Sequence, residues 1–295
     1  MKALVIAEHA DIAAHLAAGA RALANEVAVV TIGSEAPIAF TSDAAYHITV
    51  PKGAIADDAS ETIYGLLEDV SVVIAEPTRR MKTVIGRLAA SKMTSVITDA
   101  VSIQGTMATS LYFGGVGQIT REAKGEISFF TASPSTFGDV EPNGACEKAE
   151  ELDWVSPTHT ARLVSSCPLG DAGEDLSKCD VVVGAGRGFS EKSDLDMARD
   201  LAAKLNAGLG CSRPLAEGTQ WLPAQTYIGV SGLMLSPKVY VALGISGQMQ
   251  HMVGVNRSDV VFAVNKDENA PIFKQCDYGL VGAIEDVIPA LATLL

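Results

Sequence analysis

The chain has 295 residues, 48% hydrophobic and 19% charged, a balance that builds a packed core and excludes a disordered polymer. At about 150 residues per domain, that length suggests two domains. Lys and Arg number 22 against 35 Asp and Glu, for a net charge of −13. This argues against nucleic-acid binding, which needs a basic face, and against docking on an anionic membrane. Aromatic residues, at 5%, give few platforms for stacking single strands. The 5 cysteines, at 146, 167, 179, 211 and 276, are odd in number and lack CxxC spacing, so no disulfide framework or zinc site is expected. The opening MKALVIAEHAD has too short an apolar run for a signal peptide, and no stretch of about 18 apolar residues spans a bilayer. A cytoplasmic protein without membrane insertion is expected.

In chain order, residues 2–7 (KALVIA) read as a buried strand. Residues 11–25 carry Ile12, Leu16, Ala20 and Leu23 at helical spacing. Strands are expected at 27–32, closed by Gly33, and at 46–50; a helix at 60–67 with Ser60 as N-cap; a strand at 70–75; a helix at 82–90; and a strand at 95–97. Such alternation means a parallel sheet with helices on both faces. After Gly105 the texture changes. Residues 111–120, 125–131 and 162–166 read as strands without intervening helices, around a loop-rich stretch at 133–151. A second unit begins near Leu176, with a strand at 181–183, a glycine turn, a helix at 193–206, a strand-like stretch to 212, strands at 239–243 and 260–264, and a final helix at 284–295. Residues 168–173 (PLGDAG) form a candidate linker. The fold class is α/β in two domains: residues 1–172 mixed α/β with a largely parallel sheet, residues 173–295 doubly wound and Rossmann-like.

Three motifs sit at strand ends, where open α/β sheets bind ligands. Gly184-Ala-Gly-Arg-Gly188 joins a strand to a helix. It could bring N–H groups to a phosphate or serve only as a tight turn. As a dinucleotide fingerprint it is broken: Phe189 stands where the third glycine belongs, and no acidic residue follows near Asn206. Cys211-Ser-Arg-Pro214 offers a guanidinium to an anion or a ring, or a plain surface arginine. Gly244-Ile-Ser-Gly-Gln-Met-Gln-His251 gathers small residues, two carboxamides and a histidine, which could donate a hydrogen bond, carry charge or be structural. Asn265-Lys-Asp267 decorates the next strand end. No GxSxG, HExxH or Walker loop occurs, which points to a cofactor carrier rather than acid–base chemistry.

Read together, VYVALGISGQMQHMVGVNRSDVVFAVNKDENAPIFKQCDYGLVG (239–282), GAGRG (184–188) and GCSRP (210–214) resemble the α subunit of electron transfer flavoproteins. RPLAEG (213–218) and YIGVSGLMLSP (227–237) look closest to the bacterial FixB branch, whose partner is FixA. The resemblance implies that the C-terminal domain holds one FAD and that a β subunit, FixA-like, closes over it as a heterodimer. It implies an acyl-CoA dehydrogenase-type donor and a quinone or other redox acceptor. Arg187 would lie near the phosphates, Ser212 and Arg213 at the flavin, and Ser231, on the loop of Ile228, Gly229 and Val230, at flavin N5. Ser246, Gly247, Gln248, Met249, Gln250 and His251 would bind pyrophosphate and flavin, with His251 at flavin O2. Asn265 would anchor the ribityl–phosphate region, and Ala283 and Ile284 would lie toward the adenosine. Relative to many members, a lysine is replaced by Leu233 and an acidic residue by Ala283. A one-electron carrier must stabilise negative charge on the reduced flavin, which a histidine N–H and a guanidinium would do. The rival readings are an NAD-dependent α/β oxidoreductase and a nucleotide-binding module built on the N-terminal domain.

Overall fold

The computed structural model describes residues 1–113, 115, 117–167 and 175–295. The chain divides into two compact units, Met1–Cys167 and Pro168–Leu295, each with its own sheet. The expected linker at 168–173, and the boundary after residue 172, lie outside the described residues.

In the N-terminal unit the strands are β1 (Lys2–Ala7), β2 (Glu26–Ile32), β3 (Ala44–Ile48), β4 (Val70–Ala75), β5 (Val96–Gln104), β6 (Met107–Tyr112), β7 (Gly117–Glu122), β8 (Ser128–Ala132) and the short β9 (Glu150–Glu151). They form one sheet in the order β7-β6-β5-β8-β4-β1-β2-β3-β9. It is parallel except where β6 pairs antiparallel with β5 and β7. Helices α1 (Ala10–Ala20), α2 (Ser60–Tyr64) and α3 (Arg79–Ser91) cover it. Ala3, Val5 and Ala7 pack with Leu16 of α1 on one face, and Leu4 and Ile6 with Met81 and Ile85 of α3 on the other. Burial on both faces is why these strands read as continuous aliphatic runs rather than alternating ones.

Several expectations change. The expected strand at 111–120 is a hairpin, because Phe113 and Gly115 take φ of 53° and 85° and turn the chain back between β6 and β7. Residues 162–166 form no strand; they are exposed, without a ladder neighbour, and Leu163 donates to the Gly53 carbonyl at 2.9 Å. Ser60 is the first residue of α2 rather than its cap. Helix α3 starts earlier than expected, because the Thr78 hydroxyl accepts from the Met81 amide and closes its first turn.

The C-terminal unit has a five-stranded parallel sheet of β10 (Val181–Ala185), β11 (Gly208–Cys211), β12 (Val239–Leu243), β13 (Val260–Asn265) and β14 (Tyr278–Val281), in the order β11-β10-β12-β13-β14. Helices α4 (Leu195–Lys204), α5 (Met249–Met252) and α6 (Ile284–Leu294) accompany it. Side chains alternate between two cores. Val183, Ala185, Val241 and Leu243 face α4 and α6, while Val182, Tyr240 and Ala242 face Ile228 and Met252. The chain runs from β10 outward to β11, then returns across β10 to β12. Connections therefore leave these two strands in opposite directions, which opens a crevice at their C-terminal ends. Among the described residues no helix is long and apolar enough to cross a membrane.

Candidate functional site

A cleft of about 530 Å³ lies at that crevice. Its floor is backbone on backbone. The Gly186 amide donates to the Leu243 carbonyl at 2.8 Å and the Gly188 amide to the Gly244 carbonyl at 2.9 Å. A Cβ at Gly188 would stand 2.6 Å from the Gly244 Cα, so the two loops meet only because both positions are glycine. Two of the turn's N–H groups, those of Gly186 and Gly188, are used in holding the loops together and are not open to a phosphate. This favours the tight-turn reading of the motif and counts against a dinucleotide fingerprint.

The walls come from the ends of three strands, β11, β12 and β13. After β11, Ser212 is buried and its amide donates to the Ala185 carbonyl at 2.9 Å, which seats it beside β10. The loop after it carries Tyr227 and Val230 into the lining. Ile228 donates to the Cys211 carbonyl and Val230 to the Gln250 carbonyl, so this loop is pinned at both ends. After β12, Ser246, Gln248 and Gln250 line the cleft. Gly247 takes φ of 82°, and a Cβ there would overlap the Ile272 backbone. After β13, the Asn265 amide donates to the Ile245 carbonyl at 2.8 Å and its Oδ1 accepts from the Asp267 amide at 3.0 Å. Asn265 thus ties the β12 loop to the β13 loop.

Two buried titratable side chains line the cleft, Tyr227 and His251, and His251 is the one with an unpaired polar atom. Its Nε2 is 2.7 Å from the Tyr240 hydroxyl, itself wholly buried. Its Nδ1 is buried and has no hydrogen-bond partner. Burial drives the His251 pKa down to about 4, opposed by the backbone of Ile228, so the ring is neutral near pH 7. Burial likewise raises the Tyr240 pKa, keeping its phenol protonated. Of the readings open to this histidine in the sequence, its burial excludes fixed positive charge and leaves a neutral hydrogen-bonding or structural ring. Leaving a buried polar atom unpaired costs about 1–3 kcal/mol. Such an atom at the wall of a cleft marks where a ligand atom belongs.

Two cations line the same cleft. The Arg187 guanidinium is exposed and pairs with no described residue. Arg213 is also exposed, and its Nε donates to Glu217 at 2.6 Å one helical turn on. The amides of Ser246, Gly247 and Gln248 donate to no described residue. Guanidinium and free N–H groups together suit an anionic group.

The cleft brings together nine of the expected residues: Arg187, Ser212, Arg213, Val230, Ser246, Gln248, Gln250, His251 and Asn265. Ile228, Gly229 and Gly247 stand behind the lining as buried supports. Ser231 and Met249 are exposed beside it. Ala283 and Ile284 do not line it: Ala283 is the N-cap of α6, and Ile284 is buried in the core under that helix. Asp267, Ala270 and Pro271 also line the cleft; their strand-end position just past β13 marks them in the sequence, which assigned them no cofactor role. Sequence reasoning missed Tyr227, and it missed Tyr240 behind the lining, which lies mid-strand and carried no signal.

The N-terminal sheet has an equivalent crevice between β1 and β4, and acidic side chains fill it. Buried Glu76 accepts from the Glu8 amide at 2.8 Å and holds the His9 Nδ1 at 2.6 Å. Glu35 accepts from the Ala10 amide at the start of α1 at 2.9 Å. Carboxylates occupy the N–H groups that a phosphate would use, which counts against a nucleotide module in this unit.

An α/β chain whose second sheet opens a cleft with two guanidinium groups and an unpaired buried ring nitrogen has the form of a cofactor carrier. Residues 175–256 match the electron transfer flavoprotein FAD-binding domain, and residues 3–153 the electron transfer flavoprotein domain. Over 246 residues the chain is 37% identical to YdiR of Escherichia coli (strain K12), named as an electron transfer flavoprotein subunit, covering 81% of this chain and 79% of that protein. Over 289 residues it is 33% identical to the protein FixB of Escherichia coli O9:H4 (strain HS), covering 94% and 92%. FixB of Escherichia coli (strain K12 / DH10B) matches to the same extent. The chain belongs to the electron transfer flavoprotein family, as an α-type subunit of the FixB kind. It is an electron carrier rather than an enzyme with a substrate of its own, its cofactor is FAD, and its counterpart is a β subunit.

Proposed function

We propose that the cleft between β10 and β12 is where FAD is held, and that the unpaired Nδ1 of His251 is the donor that meets the flavin. The observation that carries this reading is that buried, partnerless ring nitrogen in the lining. The residues present fit the group. Arg187 and the free amides of Ser246–Gln248 suit a pyrophosphate. Ser212, Arg213 and Ser231 belong at the flavin, and Asn265 holds the loop that shapes the middle of the cleft.

FAD supplies the one-electron chemistry. The chain orients it, keeps water from one edge, and offers donors where reduction adds negative charge. His251 does so as a neutral N–H donor in a buried setting, where a hydrogen bond to charge is stronger than in water. Arg213 adds positive charge, partly offset by Glu217. An acyl-CoA dehydrogenase-type enzyme delivers the electrons, a quinone or other redox acceptor receives them, and the β subunit closes the open side of the cleft.

The test is reduction of the FAD-loaded heterodimer by an acyl-CoA dehydrogenase and its substrate, followed by the flavin absorbance. Bleaching that requires the dehydrogenase supports the donor assignment. A flavin that dithionite reduces but the dehydrogenase does not would overturn it.

A further inference from the structure

Tyr240 belongs to none of the groups expected to meet a cofactor. It is wholly buried in β12, on the sheet face opposite α4 and α6. Its hydroxyl lies 2.7 Å from the His251 Nε2. Two arrangements of protons are conceivable. If His251 donated from Nε2, the Tyr240 O–H would lack an acceptor among the described residues, and Nδ1 would be a bare lone pair. Two buried groups would then be unpaired. If Tyr240 donates to Nε2, the phenol is satisfied and the ring proton sits on Nδ1, leaving one group unpaired. The second arrangement is favoured.

The position of the hydroxyl is built into the sheet. Val182 pairs with Tyr240 and Gly184 with Ala242, so Gly184 is the diagonal neighbour of Tyr240 on the same face. The tyrosine ring extends along the strand over Gly184, and a Cβ at 184 would overlap the hydroxyl. The first glycine of GAGRG is thus explained by the tyrosine rather than by any ligand.

We propose that Tyr240 is a positioning residue: its hydroxyl fixes His251 in the Nδ1–H tautomer, with Gly184 leaving room for that hydroxyl, so that the cleft always presents a donor. The proposal rests on the reading of the cleft as the FAD site. A histidine free to exchange tautomers would present a lone pair part of the time, and a lone pair repels a flavin carbonyl. Tyr240 prevents this without touching the cofactor.

The experiment uses the full-length heterodimer with its β subunit, labelled with ¹⁵N-histidine, with and without FAD. Histidine ¹⁵N shifts near neutral pH report the tautomer, with His251→Gln assigning the signal. The wild type should show a protonated Nδ1 and an unprotonated Nε2 in both states. Tyr240→Phe should lose that single tautomer and bind FAD about tenfold more weakly. Gly184→Ala leaves both side chains chemically intact but displaces the hydroxyl, and should move the same ¹⁵N signals; it decides the matter if the phenylalanine variant does not fold. A wild-type Nε2–H tautomer, or a Tyr240→Phe signal identical to wild type, would overturn the proposal while leaving the FAD reading standing. A wild type with the Nδ1–H tautomer that takes up no FAD would overturn the FAD reading instead, and leave the tyrosine–histidine pairing as a purely structural device.

Discussion

The Gly188 amide donates to the Gly244 carbonyl at 2.9 Å, and the backbones there are close enough that a Cβ at 244 would lie 2.7 Å from the Gly188 Cα. Gly244 also takes φ of 63°, a left-handed conformation that penalises any side chain. Gly244→Ala should therefore destabilise the protein by about 1–3 kcal/mol, since strain and overlap add. Urea unfolding checks the stability, and FAD titration should show weaker binding because the cleft floor has shifted. Unchanged unfolding and binding would mean that the two loops do not meet as described.

His251 offers its hydrogen bond to charge that appears only on reduction. Removing it in His251→Ala should lower the one-electron potential, with FAD still bound. A hydrogen bond to a charged group contributes about 1.5–3 kcal/mol, and at 59 mV per tenfold that corresponds to roughly 60–130 mV. Potentiometric titration of the loaded heterodimer reads the shift.

Arg213 and Glu217 form an exposed pair whose charges oppose each other at the rim of the cleft. Arg213→Gln should lower the flavin potential and Glu217→Gln should raise it. Both shifts should shrink as salt is added, because solvent screens exposed charges. The measurement is the same titration at two ionic strengths, and shifts of equal sign would contradict the pairing.

Asn265 carries a different kind of load, since both ends of its amide hold backbone. Asn265→Leu removes the bonds to Ile245 and Asp267 at 2.8 and 3.0 Å. The expected loss is about 1–2 kcal/mol of stability, with faster FAD release measured by dilution into an apoflavodoxin trap. A variant that unfolds less readily than wild type would remove Asn265 from the role of tie between the loops.

In the N-terminal unit, the hydrogen bond to Glu76 raises the His9 pKa above its usual 6.5, helped by the charges of Glu76, Glu35 and Glu8 and opposed by burial. A raised folded-state pKa contributes stability that is fully present below about 6.5 and is lost as pH rises through the raised value. His9→Gln should therefore lower Tm at pH 6 and have little effect at alkaline pH. Half-exposure of the ring keeps the difference under about 1 kcal/mol.

Much of this was legible in the sequence because burial on both faces leaves an unmistakable aliphatic text. VSVVIA and VYVAL start and end as strands where the runs do. Other features resisted for identifiable reasons. β14 is an edge strand of four exposed residues, so nothing in its pattern distinguishes it from a loop. The hairpin of β6 and β7 turns at Phe113 and Gly115, and the Gly-Gly pair at 114–115 is a turn signal that the reading of 111–120 as one strand passes over. Within the cleft, ribbon-like glycine motifs suggest phosphate contact, yet Gly184 accommodates a tyrosine and Gly186 and Gly188 support a neighbouring loop. Tyr240 reads as a core aromatic because its function depends on a partner eleven residues away, brought close only by the turn into α5.

The central claim is that the cleft of the C-terminal unit holds FAD against His251. The most direct measurement is the visible spectrum and flavin content of the heterodimer, with the wild-type chain and with His251→Ala side by side, during stepwise reduction. The account predicts about one FAD per heterodimer in both, with the variant reduced at lower potential. A wild-type complex that is colourless and takes up no added FAD, or a variant with an unchanged potential, would contradict it.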